Sequence, residues 1–292
     1  MKGIILAGGT GSRLFPITKG VSKQLIPVYD KPMIYYPLSV LMLAGVTEVL
    51  VITTPGDKQA FSQVLGDGSQ WGIKIEQTVQ AAPEGIAQAF LLGKEFIGGS
   101  PCSLVLGDNI FFGHGLRGEL RSAAQLQRGA RIFGYHTSEP EAYGVAEFDG
   151  TGKVISIEEK PQKPKSNYAI TGLYFYDERV SEFAEQLKPS PRGELEITDL
   201  NMCYLRDESL SCVKLGRGVA WLDTGSPDGM LQASQFVQTV QERQGLRIAC
   251  PEEIAYESGW IDDKQMQKNI DSLGKTSYAI YLRGLLEGSV GA

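Results

Sequence analysis

The chain has 292 residues, 42% of them hydrophobic and 21% charged, which is enough to bury a large core without disulfides or a structural metal. A formal net charge of -6 argues against nucleic acid as the main partner, since backbone binding wants a basic stripe, so any phosphate must be handled by individual cations. The cysteines Cys102, Cys203, Cys212 and Cys250 lack metal-ligand spacing and read as buried thiols, and the apolar start Gly3 to Ala7 is too short for a signal segment or membrane span, so a cytoplasmic protein is expected.

Short apolar runs over Gly3–Ala7, Val49–Thr53, Ile73–Thr78, Ser103–Leu106 and Arg131–Tyr135 predict buried strands. Between them Tyr36–Ala44, Gln59–Leu65, Ala87–Phe96 and Leu116–Gln127 carry apolar residues at helical spacing. The alternation predicts an α/β fold, Rossmann-like, with a mostly parallel (mixed) sheet flanked by helices and ligands at the carboxyl ends of its strands. After residue 140 strand-rich pieces follow, at Gly144–Phe148, Val154–Glu159, Ala169–Tyr176 and Leu210–Leu215, with an exposed Pro- and Lys-rich loop over Pro161–Asn167. A helix is predicted over Asp228–Gln244, and a last section of short helices starts near Pro251. This divides the chain into a core over 1–240, with halves at about 1–135 and 136–240, and a helical section over 241–292.

The first strand runs into Gly8-Gly9-Thr10-Gly11-Ser12-Arg13-Leu14, where glycines let the backbone turn and aim N–H groups at an anion. The alternative is a plain tight turn. It is neither a dinucleotide fingerprint, because Leu14 takes the third glycine's place, nor a P-loop, for want of Gly-Lys-Ser/Thr. Arg13 and Lys23 put two cations near the loop, which suits a polyanionic substrate. Asp108 follows an apolar run through Gly107 and should sit at the end of a central strand. Asp223, after Trp221-Leu222, reads either as a second metal carboxylate or as the cap of the helix starting near Pro227. One or two carboxylates with substrate phosphates suffice for magnesium, whereas His114 and His136 are too few for a zinc or di-iron site.

The loop together with Ser22-Lys23-Gln24-Leu25 resembles the signature of the sugar nucleotidyltransferases. Tyr29 to Pro37, Val105 to Asn109, Glu159-Lys160-Pro161, Arg192 to Thr198 and Ala220 to Gly225 extend the resemblance over nearly the whole chain, toward the members that join glucose 1-phosphate to dTTP. Ser12 stands where Thr is usual, and Ala82 and Glu84 replace Ser and Asp before Gly85.

The resemblance implies a magnesium-dependent transfer giving dTDP-glucose and pyrophosphate, with Asp108 and Asp223 paired on the metal and Arg13, Lys23 and Lys160 on the phosphates. Gly8, Gly11, Ser12, Gln24, Gln80 and Gly85 would join them in nucleotide binding. Asn109, Gly144, Glu159, Lys160, Tyr174 and Trp221 would hold the sugar phosphate. UTP or another hexose 1-phosphate is the alternative substrate, since thymine and uracil share a hydrogen-bonding edge. A non-catalytic sugar-nucleotide binder would be expected to lack Arg13, Lys23 or Asp108. Also implied are a homotetramer and feedback inhibition by dTDP-rhamnose at a second site, with Arg217, Glu253 and Tyr256 as its candidate residues. Trp260, Tyr278 and Tyr281 read as core or interface.

Overall fold

The computed structural model describes residues 1–9 and 11–290. The first part contains β1 (Lys2–Ala7), a small hairpin of β2 (Pro27–Val28) and β3 (Lys31–Pro32), α1 (Tyr35–Leu43), β4 (Glu48–Thr53), α2 (Lys58–Leu65), β5 (Lys74–Val79), α3 (Gln88–Leu92), α4 (Lys94–Ile97) and β6 (Cys102–Leu106). Next come β7 (Asn109–Gly113), α5 (Leu116–Ala124), β8 (Ala130–His136), β9 (Gly144–Phe148), β10 (Val154–Glu159) and β11 (Tyr168–Tyr176). The chain continues with α6 (Val180–Glu185), α7 (Ile197–Arg206), β12 (Leu210–Lys214), β13 (Val219–Asp223), α8 (Pro227–Gln244), α9 (Pro251–Glu257), α10 (Asp263–Leu273) and α11 (Ser277–Leu286). No helix among the described residues is long and apolar enough to cross a membrane.

The apolar runs become strands because both faces of the sheet are covered. Alternate residues of β1, β4 and β6 divide between two cores: Ile5, Ala7, Val49, Val51 and Val105 pack under α1, α5 and the C-terminal helices. Ile4, Leu50, Ile52 and Leu104 pack on the other face against residues of α3, α6 and α7. The last helical section belongs to the first of these cores, through Cys250, Ile254, Met266, Ile270 and Leu282. Tyr281 is buried there, with Trp260 and Tyr278 packed against it. Cys102 and Cys250 are buried free thiols, as expected, whereas Cys203 and Cys212 are only half-buried.

The sheet has nine strands in the order β10-β9-β11-β6-β1-β4-β5, with β8 between β11 and β12 off this path. Strands β6-β1-β4-β5 run parallel, as do β8 and β12 at the side. Beyond β6 the direction changes: β11 runs antiparallel to β6, β8 and β9. The expected mixed character therefore begins at β11, and β9 with β10 continues it as a further antiparallel pair. The register of β11 shifts between Ile170 and Tyr174, so its second half lies beside β6 while Ala169 in its first half pairs with Val145 of β9. A cleft opens where β6 and β9 part company.

The helix expected over Ala87–Phe96 is two short helices that meet at Gly93, which lies against Ile4, where an added Cβ would come within 3.0 Å of the Ala89 carbonyl and of Ile4 Cδ1. The short hairpin strands β2 and β3, strands β7 and β13, and helices α6 and α7 were not foreseen. Ser226, not Asp223, caps α8, its Oγ accepting from the Gly229 N–H at 3.0 Å. Helix α8 is tied to the hairpin by a buried polar knot. Lys31 is 3% exposed and pairs with Asp30, which also meets Arg247 and accepts from Gln241 Nε2 at 3.0 Å. Burial lowers the Lys31 ammonium below the ordinary lysine range, Asp30 offsetting part of this.

On α9, burial lifts Glu253 to about 7, against the pull of a 2.9 Å bond from the Tyr281 hydroxyl. The folded chain thus keeps a proton that the unfolded chain releases between about 4.5 and about 7, so this residue's contribution to stability falls as pH rises through that window. Glu253→Gln, neutral throughout, should raise the melting temperature relative to the parent by more at about pH 8 than at about pH 5. Thermal melts at the two pH values check this, and an equal difference at both would contradict it.

Candidate functional site

The carboxyl ends of β1 and β6 and the fork at β11 enclose a cleft of about 390 Å³. Gly8, Gly11, Ser12, Arg13, Lys23, Gln24, Asp108, Asn109, Gly144, Glu159, Lys160, Tyr174, Trp221 and Asp223 all line it. A second lobe of about 280 Å³, sharing Gly8, Gln24, Asp108 and Lys160 with the first, adds Gln80 and Gly85. Every residue expected to bind nucleotide, sugar phosphate or metal therefore lies on one continuous cavity at the carboxyl edge of the parallel strands.

After β1 the chain turns through Gly9 at φ 91° and Gly11 at φ 59°, a backbone region costly for other residues. A short 3-10 turn follows over Ser12–Leu14, with Leu14 buried as its anchor. Thr18 Oγ1 donates to the Gly11 carbonyl at 2.8 Å and holds the loop from behind. Among the described residues, nothing accepts from the N–H groups of Gly11, Ser12 and Arg13. Arg13 is exposed and makes no ion pair among those residues, leaving its guanidinium available to an anion. Lys23 Nζ lies 2.6 Å from Asp108 Oδ2.

The meeting of Asp108 and Asp223, open on spacing alone, follows from the pairing of β7 with β13. These strands run antiparallel with Asp223 opposite Asn109, the residue next to Asp108. Thr224 is fully buried, and its Oγ1 donates to the Asp108 carbonyl at 2.8 Å. Asn109 completes the joint: its Nδ2 donates to Asp108 Oδ1 at 2.9 Å, and its Oδ1 accepts from Trp221 Nε1 at 2.7 Å and the Gly172 N–H at 3.1 Å. Burial, then the Asp108 carboxylate, pushes Asp223 above the ordinary aspartate range, with Lys23, the Gly225 N–H and Arg13 pulling it partly back. A divalent cation would relieve that repulsion. The described residues hold no cluster of three or more His, Cys, Asp or Glu able to bind a metal, so two carboxylates plus oxygen atoms of a substrate are what the site offers, a set that suits magnesium.

In the second lobe Gln24 is buried, accepting from Ser22 Oγ at 2.9 Å and donating to the Gly8 carbonyl at 3.2 Å. A side chain at position 8 would displace the Gln80 amide, since an added Cβ would stand 2.4 Å from Gln80 Oε1. Gly85, at φ 103°, has the Leu195 backbone against it, with the Leu195 carbonyl 2.3 Å from where a Cβ would sit. On the opposite wall Gly144 pairs with Glu159 across β9 and β10. Glu159 Oε2 accepts from Thr198 Oγ1 at 2.6 Å. Lys160 adopts φ 43°, unusual for a non-glycine residue, its N–H donating to the Tyr143 carbonyl at 3.1 Å. The Tyr143 ring lies 4.9 Å from that of Trp221.

Sequence reasoning did not assign roles to Tyr143, Gly172 and Thr198, and only quoted Arg192, which lines the second lobe with Glu194 and Glu196. Arg192 could have been singled out as another cation beside a glycine; the others carry no signal beyond their place in the fold. The residues expected at a second site are not gathered. Glu253 lines a groove with Arg117, Arg247 and Glu257, Arg217 lines a separate depression beside Lys214, and the Tyr256 hydroxyl is spent on Asp263 at 2.7 Å.

Residues 2–240 match the family model described as nucleotidyl transferase. The chain is 61% identical over 284 residues to a glucose-1-phosphate thymidylyltransferase of Xanthomonas campestris pv. campestris (strain B100), covering 97% of this chain and 96% of that protein. It is 53% identical over 287 residues to one of Mycobacterium tuberculosis (strain ATCC 25618 / H37Rv), covering 98% and 99%. Among solved structures, a Bacillus anthracis protein assigned as a glucose-1-phosphate thymidylyltransferase, in complex with a sucrose, superposes with a TM-score of 0.75 at 41% identity over 81% of this chain and 94% of that one. A UDP-glucose pyrophosphorylase complexed with UDP-glucose superposes at 0.71 with 23% identity, over 82% and 98%, a likeness of fold alone.

The Thr224 hydroxyl is the joint between the two aspartate-bearing strand ends. Thr224→Val should weaken binding of manganese, used as a spectroscopic stand-in for magnesium, by about fivefold or more, while Thr224→Ser keeps it near the parental value. Electron paramagnetic resonance titration without substrates reads this directly, and equal affinities in both variants would remove Thr224 from the role.

Proposed function

Because the chain belongs to the nucleotidyl transferase family, we propose that it transfers the thymidylyl group of dTTP to α-D-glucose 1-phosphate, giving dTDP-glucose and pyrophosphate, with magnesium as cofactor. The observation that carries the chemistry is the composition of the cleft: cations Arg13, Lys23 and Lys160 around paired aspartates, with no His or Cys in the lining. Such a site suits a reaction that needs no general base. A phosphate oxygen of the sugar phosphate, already anionic, attacks the α-phosphorus of the triphosphate, and the bond to the β-phosphate breaks in line as pyrophosphate leaves. Positioning and charge neutralisation are then the whole task.

The glycine loop and Arg13 receive the triphosphate, with Arg13 neutralising charge on the departing pyrophosphate. Lys23 holds the phosphates near Asp108, to which it is already bonded at 2.6 Å. Lys160, on the opposite wall, grips the attacking phosphate, while Glu159, Asn109 and the Gly144 backbone meet sugar hydroxyls beside Tyr174 and Trp221. Asp108 and Asp223 are the residues that would hold magnesium, which would supply positive charge to offset that of the phosphates. Gln24, Gln80 and Gly85 face the base. Names of relatives up to 61% identical over nearly their full lengths support dTTP and glucose 1-phosphate over other pairs.

The same reading makes residues 1–240 the catalytic core and 241–292 the section for contacts between copies, in a cytoplasmic homotetramer. It adds feedback by dTDP-rhamnose at a second site, for which the groove holding Glu253, Arg117 and Arg247 is the better location than the depression at Arg217.

A pyrophosphate-release assay over a matrix of nucleoside triphosphates and sugar 1-phosphates should show dTTP with glucose 1-phosphate as the preferred pair and UTP as the nearest competitor; no release with that pair would refute the proposal. Asp223→Asn should lose most turnover while still binding nucleotide by calorimetry. In Arg13→Ala, kcat should fall far more than the KM for glucose 1-phosphate rises, and a loss confined to KM would misplace Arg13.

A further inference from the structure

A glutamine facing a nucleobase can present either its oxygen or its amino group, and the two select opposite partners. The oxygen accepts from a ring N–H such as that of thymine; the amino group donates to a bare ring nitrogen such as that of cytosine. Resting on the reading that Gln80 faces the base, the polarity of its amide therefore decides which bases fit.

That polarity is set from outside the cavity. Glu84, as a carboxylate, only accepts, and it takes Gln88 Nε2 at 2.6 Å. Gln88 is thereby left with its oxygen toward Gln80, whose Nε2 donates to Gln88 Oε1 at 2.6 Å. The Gly85 carbonyl, a second fixed acceptor, lies 3.5 Å from the same Nε2. Turning the Gln80 amide over would set its oxygen against both. Gln80 Oε1 instead faces Gly8, where the missing Cβ gives it room.

The segment carrying the relay is itself clamped. Leu195 donates its N–H to the Glu84 carbonyl at 2.7 Å and accepts from the Ala87 N–H at 3.1 Å, with Gly85 pressed between. Gln80 is 6% exposed, so little water competes for its amide, whereas Glu84 is exposed and acts through direction more than strength.

We propose that Glu84 and Gln88 form a hydrogen-bond relay that fixes Gln80 as an acceptor and so sets the enzyme's preference for a nucleobase bearing a ring N–H. Both are positioning residues that do not touch the base.

The test reverses the sign of the relay at one position. In Gln88→Glu the acceptor toward Gln80 is retained; in Gln88→Lys it becomes a donor. With saturating glucose 1-phosphate, kcat/KM for dTTP and for dCTP is measured by pyrophosphate release in the parent and both variants, with thermal melts as a control for folding. Gln88→Glu should keep the parental dTTP-to-dCTP ratio within about threefold, while Gln88→Lys should lower it by about tenfold or more, through KM for dTTP, with kcat little changed. Equal ratios in the two variants overturn the relay. Should Gln88→Lys fail to fold, Glu84→Gln on the surface lets the relay run either way and should lower the ratio by a smaller step; an unchanged ratio there overturns it equally. A parent inactive with dTTP refutes the proposed reaction, whereas an active parent whose ratio ignores these substitutions refutes only the relay.

Discussion

Two carboxylates repel each other, and the folded chain nevertheless brings Asp108 and Asp223 close enough for one to raise the other's pKa. Most of the site can be understood as what is needed to keep them there. The antiparallel pairing of β7 with β13 sets Asp223 opposite Asn109. Thr224 ties the end of β13 to the Asp108 carbonyl, and Asn109 is held by Trp221 and Gly172 while it holds Asp108. Lys23 supplies the opposing charge that makes the arrangement tolerable before a cation arrives.

The same constraint explains why so much of the molecule converges on a small volume. Lys23 and Gln24 sit on a turn whose backbone is fixed by the neighbouring hairpin segment, Ile34 donating to the Gln24 carbonyl at 2.8 Å and Met33 to that of Ile26 at 3.0 Å. Met33 in turn meets the Thr224 hydroxyl through its sulfur at 3.3 Å. The hairpin is anchored to α8 by the buried Lys31 and Gln241, by the half-buried Asp30 and by Arg247, so the C-terminal part of the chain buttresses the cation that faces Asp108. Removing either partner from such a pair would leave an uncompensated charge out of water.

The fork in the sheet performs the complementary task for the second substrate. Because β11 leaves β6 for β9 near Gly172, the wall built from β9 and β10 stands apart from the nucleotide loop, and the gap receives what two phosphates and a sugar need. Gly172 can only be small at that point, since a Cβ would come within 2.7 Å of Asn109 Oδ1 and of Leu106. One strand thus both opens the cavity and locks the residue that holds Asp108.

By itself the sequence determined what local chemistry can determine. Apolar runs too long and too uniform for a solvated surface specified the parallel strands, glycines specified the loop after β1, and the residue types at Arg13, Lys23, Asp108 and Lys160 specified phosphate and metal handling. Expected strand positions such as Val49–Thr53 and Gly144–Phe148 lie within or coincide with the observed ones because burial on both faces, or alternation on one, is written in the chain itself. The tertiary structure alone decided what depends on partners distant in sequence. Asp223 could have capped α8, and only the pairing of β13 with β7, together with Ser226 taking the cap, turned its carboxylate toward Asp108. Strands β7 and β13 went unforeseen for the same reason, each being a short segment stabilised by the other across more than a hundred residues. The polarity of Gln80 likewise belongs to the fold, since an amide has no preferred face until Gln88, Glu84 and Gly85 are set around it.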